Sequence, residues 1–456
     1  MTKAPLIQRA ANDHIAWCIE RSPQFDHTGV VNVKLFLQHV SELVELLPPN
    51  YEHCINLCHN RYLFMLTFCA VITRKQTNLL PSNKNTLTQK NLAERYAKSY
   101  IVSDSDIKLA ADIDSVSLNN LTLSVVKGED HFDVPSVELN HVAAICFTSG
   151  STGDAKAIVK HWHTFVESTK INSAYMLPDL QGTHYHLATV PSQHMWGLET
   201  TVLMALLSPV CLVDAQPFYP HDICTQLAIL PNTRALVTTP LHLRALNSVQ
   251  EPRLILNNIL VATAPINQEL TQSIEDKFNT QVREVYGCSE IGSMAIRRSA
   301  IEEQWQQFEG LDYNFMDNGT VLVTGKHLPQ GAVLDDQLRQ VKDNYFILSG
   351  RNSDQIKIAG KRGSLNEVNK VLMGFRGLID GVVIFPSQDN AVPRLVAIVV
   401  LSDTTNKKEL REYFSQYLDA AFIPRPILVV DALPREDNGK LIKSKAQDLY
   451  RSLVVN

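Results

Sequence analysis

Short apolar runs alternate with longer helical ones over most of this chain. Between Cys54 and Asp106 the runs are CINLC, YLFMLTFCAVI, QTNLL, TQKNLAERYAK and SYIVS. From Val142 to Glu290 the alternation continues through HLATV, PVCLVD, RALVTT, LILNNILVA and QVREVY. Strands that alternate with helices predict an α/β architecture built on mixed, largely parallel sheets. From Glu309 to Asp343 the pattern changes to short strands with Gly and Asp turns, which predicts a small antiparallel or β-barrel-like part. After Arg351 the texture shifts again. KIAGKR, GVVIFP, PRLVAIVVL and PILVV read as strands, while KKELREYFSQYLDAA places Leu410, Tyr413, Phe414 and Leu418 at helical spacing. That pattern predicts a compact α+β unit of ordinary domain size. The expected division is a large N-terminal domain, 1–351, and a small C-terminal domain, 354–456.

Composition narrows the class without naming a function. The 456 residues are 45% hydrophobic and 20% charged, as expected of a globular protein with more than one core. A net charge of −5 is small for this length and argues against nucleic acid as a partner. No apolar stretch approaches the ~18 residues of a membrane span, and MTKAPLIQRAANDH lacks the apolar centre of a signal peptide. The eight cysteines form no CxxC pair. A reduced, cytoplasmic protein without membrane insertion is expected. His53, Cys54, Cys58 and His59 are four candidate metal ligands in a short span. On a strand, however, the cysteines share a face while the histidines beside them point away. Structural zinc also favours two separated ligand pairs, so buried cysteines are the expectation.

The run FTSGSTGDAKA, Phe147 to Ala157, carries the most chemistry. Thr148, Ser149, Gly150, Ser151, Thr152 and Gly153 are small, polar or glycine, and Lys156 follows. Glycines reach positive φ, so consecutive N–H groups can converge on phosphate oxygens, with the hydroxyls as further donors. Lys156 adds a point charge. The run is expected to lie between the buried strand Val142–Phe147 and a helix FVESTKINSAYML capped by Thr164. It is not the P-loop of common NTPases, because two residues separate its glycines and Ala157 follows the lysine.

Four further segments stand behind this loop in one order. They are YGCSE (Tyr286 to Glu290), Asp336 ahead of NYFILSGR, the stretch SGRNSDQIKIAGKRGSLNEVNKVL, and LPREDNGKLIKSKA. The five motifs together resemble the adenylate-forming superfamily: acyl- and aryl-CoA ligases, peptide-synthetase adenylation domains and luciferases. The similarity runs from about Cys54 to the C-terminus. It implies an enzyme that joins a carboxylic acid to the α-phosphate of ATP, releases pyrophosphate, and passes the acyl group to a pantetheine thiol. ATP and magnesium are the implied cofactors, and CoA or an acyl carrier protein the implied acceptor.

The resemblance also implies roles residue by residue. Thr148 to Gly153 and Lys156 serve the triphosphate, Tyr286 stacks on adenine, and Ser289 faces the α-phosphate. Glu290 is a magnesium ligand, a role suited to a hard carboxylate oxygen. Asp336, by its spacing ahead of Gly350, holds the ribose hydroxyls with Arg351, and Asp335 is the competing carboxylate. Lys440 is the catalytic lysine, a cation placed between two anionic reactants. His194 and Trp196 in PSQHMWGLE, with Thr263 and Ala264 in ATAPI, line the acid pocket. Trp196 suits core packing equally well, and an aromatic wall would favour aryl acids. Ser353 stands at the hinge of a mobile small domain, and Gly360, Lys361 and Arg362 on the loop that enters the site for thiolation. The basic residues Lys357, Lys361 and Arg362 would favour an acidic carrier protein.

The chain departs from the family pattern at Ala155 and Ala157, at Ser353, and at Thr263, where a glycine is usual. Its short N-terminal region is similar to compact members that load a carrier protein. The alternative function is a non-catalytic nucleotide- or adenylate-binding regulator with the same fold.

Overall fold

The structure is a computed structural model that describes residues 2–19, 29–124, 133–148, 156–177, 181–249, 254–316, 320–351, 354–358, 361–386, 394–436, 441 and 443–454. At 329, 351, 355, 362 and 443 it describes the backbone alone. Two sheets organise the larger part. The first has six strands in the order Lys156–His161, Val142–Thr148, Thr77–Leu80, His53–Asn56, Ser99–Ser103, Ser115–Ser117. All run parallel except the edge strand Lys156–His161. The second has eleven strands. At its centre Val282–Cys288, Asn258–Val261, Arg234–Thr238, His184–Ala188, Val210–Val213 and His14–Trp17 run parallel. Antiparallel strands finish both margins: Val30–Asn32 on one side, and Gly292–Arg297, Trp305–Gln307, Tyr345–Arg351 and Asp336–Lys342 on the other.

The burial pattern explains the layering. Every residue of Val210–Val213 and Asn258–Val261 is buried, as in parallel strands covered on both faces. The helix Arg61–Thr73 is apolar nearly all round, and all its residues but Thr73 are buried. Such a helix needs cover on every side, and it finds that cover between the two sheets. Leu63, Phe64 and Phe68 pack there with Phe36, Trp162, Phe165 and Leu203. Asn60 starts this helix by accepting from the amides of Tyr62 and Leu63 at 3.0 and 3.1 Å. Leu227, Leu243 and Ile274 cover the outer face of the large sheet, and Leu92 that of the small one. Cys54 and Cys58 are buried, and no cluster of three or more metal-ligating side chains occurs among the described residues.

The antiparallel part expected between Glu309 and Asp343 is the sheet Leu311–Phe315, Val321–Gly325, Leu328–Leu334. It is followed by the hairpin Asp336–Lys342/Tyr345–Arg351 on the large sheet's margin. Beyond Asp354 come the hairpin Gln355–Ile358/Lys361–Ser364, the helices Leu365–Met373, Lys407–Tyr417 and Lys443–Val454, and the sheet Leu378–Ile384, Val396–Leu401, Ile427–Val429. Their apolar clusters, one around Leu372, Val399, Leu410 and Phe414, the other around Ile384, Ile398 and Ala446, recruit only residues of this segment. No described helix is long and apolar enough to cross a membrane.

One local expectation is corrected. The segment after the glycine-rich run does not lead straight into a helix. Lys156–His161 is a strand that pairs antiparallel with Val142–Thr148. The helix begins at Trp162 after His161, two residues ahead of Thr164. Thr164 caps nothing and instead donates its hydroxyl to the carbonyl of His327 at 3.3 Å. The strand escaped notice because one of its inward positions is Lys160, only 2% exposed, which breaks the apolar alternation.

Candidate active site

Crevices at the carboxyl ends of parallel strands are where open α/β sheets place their ligands. Here Thr148 and Cys288 end two such strands, and the strand Lys156–His161, paired with the first, meets the YGCSE turn that follows the second. Lys156 pairs with Thr148 and donates Nζ to Glu290 Oε1 at 2.7 Å. Four residues along the same strand, Lys160 donates Nζ to the main-chain carbonyl of Glu290 at 2.8 Å. The turn itself is tight. A Cβ on Gly287 would lie 2.5 Å from the carbonyl oxygen of Gly292, so only glycine fits.

Charge follows from this packing. Burial pushes the Glu290 carboxyl up, but the hydrogen bond and charge of Lys156, together with hydrogen bonds from its own main chain and Cys288, hold the group below the usual glutamate range. The same bond raises the Lys156 ammonium above the ordinary lysine value. Burial pulls Lys160 down and pushes Glu199 up.

A second pair sits at the other end of YGCSE. Tyr286 Oη donates to Asp336 Oδ2 at 2.6 Å. The Tyr286 ring packs against Trp305 and Phe346, with centroids 5.6 and 5.9 Å away. Asp336 is buried and opens the strand that faces Arg351 in register, whereas Asp335 is exposed. Of the two carboxylates, Asp336 is the one the fold brings to Tyr286.

The profile of one family, described as AMP-binding enzyme, matches residues 11–341. The chain belongs to this family. A curated relative, 2-succinylbenzoate–CoA ligase of Staphylococcus epidermidis, is 25% identical over 350 residues, covering 70% of this chain and 72% of the relative. 4-Coumarate–CoA ligase 2 of Nicotiana tabacum is 22% identical over 390 residues, 75% of this chain and 71% of that one. Among solved structures, o-succinylbenzoate CoA synthetase from Bacillus subtilis in complex with its acyl-adenylate intermediate superimposes with a TM-score of 0.80. That match is 15% identical in sequence and covers 98% of this chain and 99% of the other. The protein is thus an AMP-binding enzyme, and the motifs imply ATP and magnesium as its cofactors.

The site fits both cofactors. Glu290 presents a half-exposed carboxylate beside Lys156, a donor set suited to magnesium, which binds through one or two carboxylates and shares phosphate oxygens. Ser289 is half-buried next to it. On the acid side, the segment after His184–Ala188 and the segment after Asn258–Val261 flank the carboxyl end of the central strand Arg234–Thr238. His194 is half-buried there. Trp196 is only 8% exposed, packs with Val190, Ala262 and Met294, and donates its indole N–H to the carbonyl of Thr238 at 3.1 Å. Thr263 and Ala264 are exposed at the rim. Thr263 has φ 84°, a left-handed conformation unusual for a β-branched residue, so this position keeps a glycine-like backbone without the glycine.

Ser149, Gly150, Ser151, Thr152, Gly153, Ser353, Gly360 and Lys440 lie outside the described residues, as does the side chain of Arg351. Three site residues carried no signal in the sequence. Arg61 is fully buried and binds the carbonyls of Ala188 and Val190 at 3.0 and 2.8 Å and the Ser192 hydroxyl at 3.1 Å, bracing the segment that leads to His194. Lys160 and Glu199 are the others. All three act across long stretches of chain, which no local spacing encodes.

Proposed function

We propose that the acid activated here is an aryl carboxylic acid and that the acceptor is the thiol of CoA. The observation that carries this reading is that Lys156 meets Glu290 and Asp336 meets Tyr286 at the two ends of YGCSE, near the segments that follow the central strands. Two relatives named for ring-bearing acids, 2-succinylbenzoate and 4-coumarate, support the substrate class. Lys361 forms an ion pair with Asp419 at 2.5 Å, which leaves less positive charge to attract an acidic carrier protein.

In this reading Tyr286 supports adenine and Asp336 accepts from the ribose hydroxyls, since a carboxylate can take both. Thr148 and Lys156, with Ser149 to Gly153, cradle the triphosphate, and Ser289 faces the α-phosphate. Glu290 would hold magnesium, which when bound would neutralise phosphate charge. His194, Trp196, Thr263 and Ala264 form the acid pocket, with Trp196 as a wall braced by Thr238. The acid's carboxylate attacks the α-phosphorus, the bond to pyrophosphate breaks, and Lys440 stabilises the charge shared by the two anions. The thiol, deprotonated, then displaces AMP from the acyl carbon. The segment 354–456, with apolar cores of its own, moves about Ser353 against 1–351 between the two half-reactions.

Acid-dependent exchange of labelled pyrophosphate into ATP, run over aryl and aliphatic acids, tests the substrate. Exchange supported best by aryl acids, with thioester formed on CoA, is the expected result. A preference for aliphatic acids, or thioester only on a carrier protein, overturns it.

A further inference from the structure

The strand Lys156–His161 sends two lysines to one residue. Positions 156, 158 and 160 share a face of the strand. Lys156 meets the Glu290 carboxylate at the surface, while Lys160 is buried and meets the Glu290 carbonyl. A main-chain carbonyl needs only a neutral donor, and a buried ammonium is costly unless an opposite charge accompanies it. Glu199 is the buried acid on the other side of the turn, 2% exposed. Its Oε2 accepts from Ser293 Oγ at 2.8 Å and from the Ser293 amide at 3.2 Å. Gly292, at φ +97°, lies so close that an added Cβ would be 2.4 Å from Glu199 Oε1. The turn from Cys288 to Ser293 is therefore held at two points by buried side chains, at the Glu290 carbonyl by Lys160 and at Ser293 by Glu199.

We propose that Lys160 and Glu199 are positioning residues for the metal–triphosphate: they fix the turn so that Glu290 and Ser289 meet it without rearrangement of the main chain. The inference rests on the ligase reading above. It separates two duties on one strand. Lys156 is exposed and can leave Glu290 when the metal arrives, whereas Lys160 stays.

The test uses the full chain, with pyrophosphate exchange followed over a magnesium series and manganese binding with ATP followed by electron paramagnetic resonance. Lys160→Met is expected to raise half-saturating magnesium and weaken manganese binding about tenfold, the scale seen when groups that orient metal ligands are removed. The KM for the acid is expected to stay within about twofold, because the acid does not touch this turn. Lys160→Arg, which keeps a cationic donor, recovers part of the loss. The double variant Lys160→Met/Glu199→Met removes both charges together and leaves no unpaired buried charge. It covers the case in which Lys160→Met alone does not fold, and shows the same metal shift. Unchanged metal dependence in folded Lys160→Met or in the double variant overturns the proposal. An equal rise in the acid KM also overturns it, since that marks general loosening. Lack of exchange by the unaltered protein would count against the ligase reading alone, and manganese binding would still decide the role of Lys160.

Discussion

The two hydrogen-bonded pairs at the YGCSE motif are built on opposite terms. Tyr286–Asp336 lies among aromatic rings, with Asp336 only 8% exposed. Lys156–Glu290 lies at the surface, its side chains 61% and 36% exposed. An exposed pair contributes ~0–1 kcal/mol, so it is cheap to exchange. A buried hydrogen bond to a carboxylate is costly to break. In the proposed reading, the nucleoside end of the site is thus built in advance, and the metal and phosphate end is held by a contact that would yield to its ligand. The buried grip of Lys160 and Glu199 lets the second contact yield without loss of the turn.

Substitutions separate these regions by size and kind of effect. The largest effect falls outside both pairs: Lys440→Ala is expected to lower adenylation by about 10²–10³-fold while ATP binding persists, since the lysine acts on charge developed in the transition state. Full activity in exchange assays of that variant would move the role elsewhere. Asp336→Asn, at the prebuilt end, should raise the KM for ATP about tenfold through weakened ribose contacts, with magnesium dependence unaltered. Tyr286→Phe should cost about 1–2 kcal/mol of stability in denaturant titration, because it leaves a buried carboxylate short of a donor. The smallest effect belongs to the exchangeable pair. Lys156 holds the Glu290 carboxyl low against burial. In Lys156→Met that support is gone, the carboxyl protonates at higher pH, and the acid limb of metal-dependent activity moves upward. A pH profile with an unshifted acid limb would show that Lys156 does not set this charge.

How much of this was legible follows the same division. The parallel strands were readable because runs such as PVCLVD and RALVTT have unbroken apolar centres, VCLV and ALV, as doubly covered strands do. Tyr286, Glu290 and Asp336 were singled out by the family resemblance, and the fold brings Tyr286 to Asp336 and Lys156 to Glu290. The strand Lys156–His161 was missed because a buried lysine reads as a surface residue. Arg61, Lys160 and Glu199 were missed because their partners lie far away in the chain, and a charge beside an apolar run looks the same whether it faces water or a distant carbonyl. Trp196 bonds to the Thr238 carbonyl and packs with Val190 and Ala262, contacts that PSQHMWGLE alone does not encode.

The most direct measurement of the central claim is the nucleotide product formed from ATP in the presence of magnesium, an aryl acid and CoA. The account predicts AMP and pyrophosphate in equal amounts, matched by aryl-CoA thioester and absent without the acid. ADP with inorganic phosphate, or AMP formed independently of any acid, would contradict it.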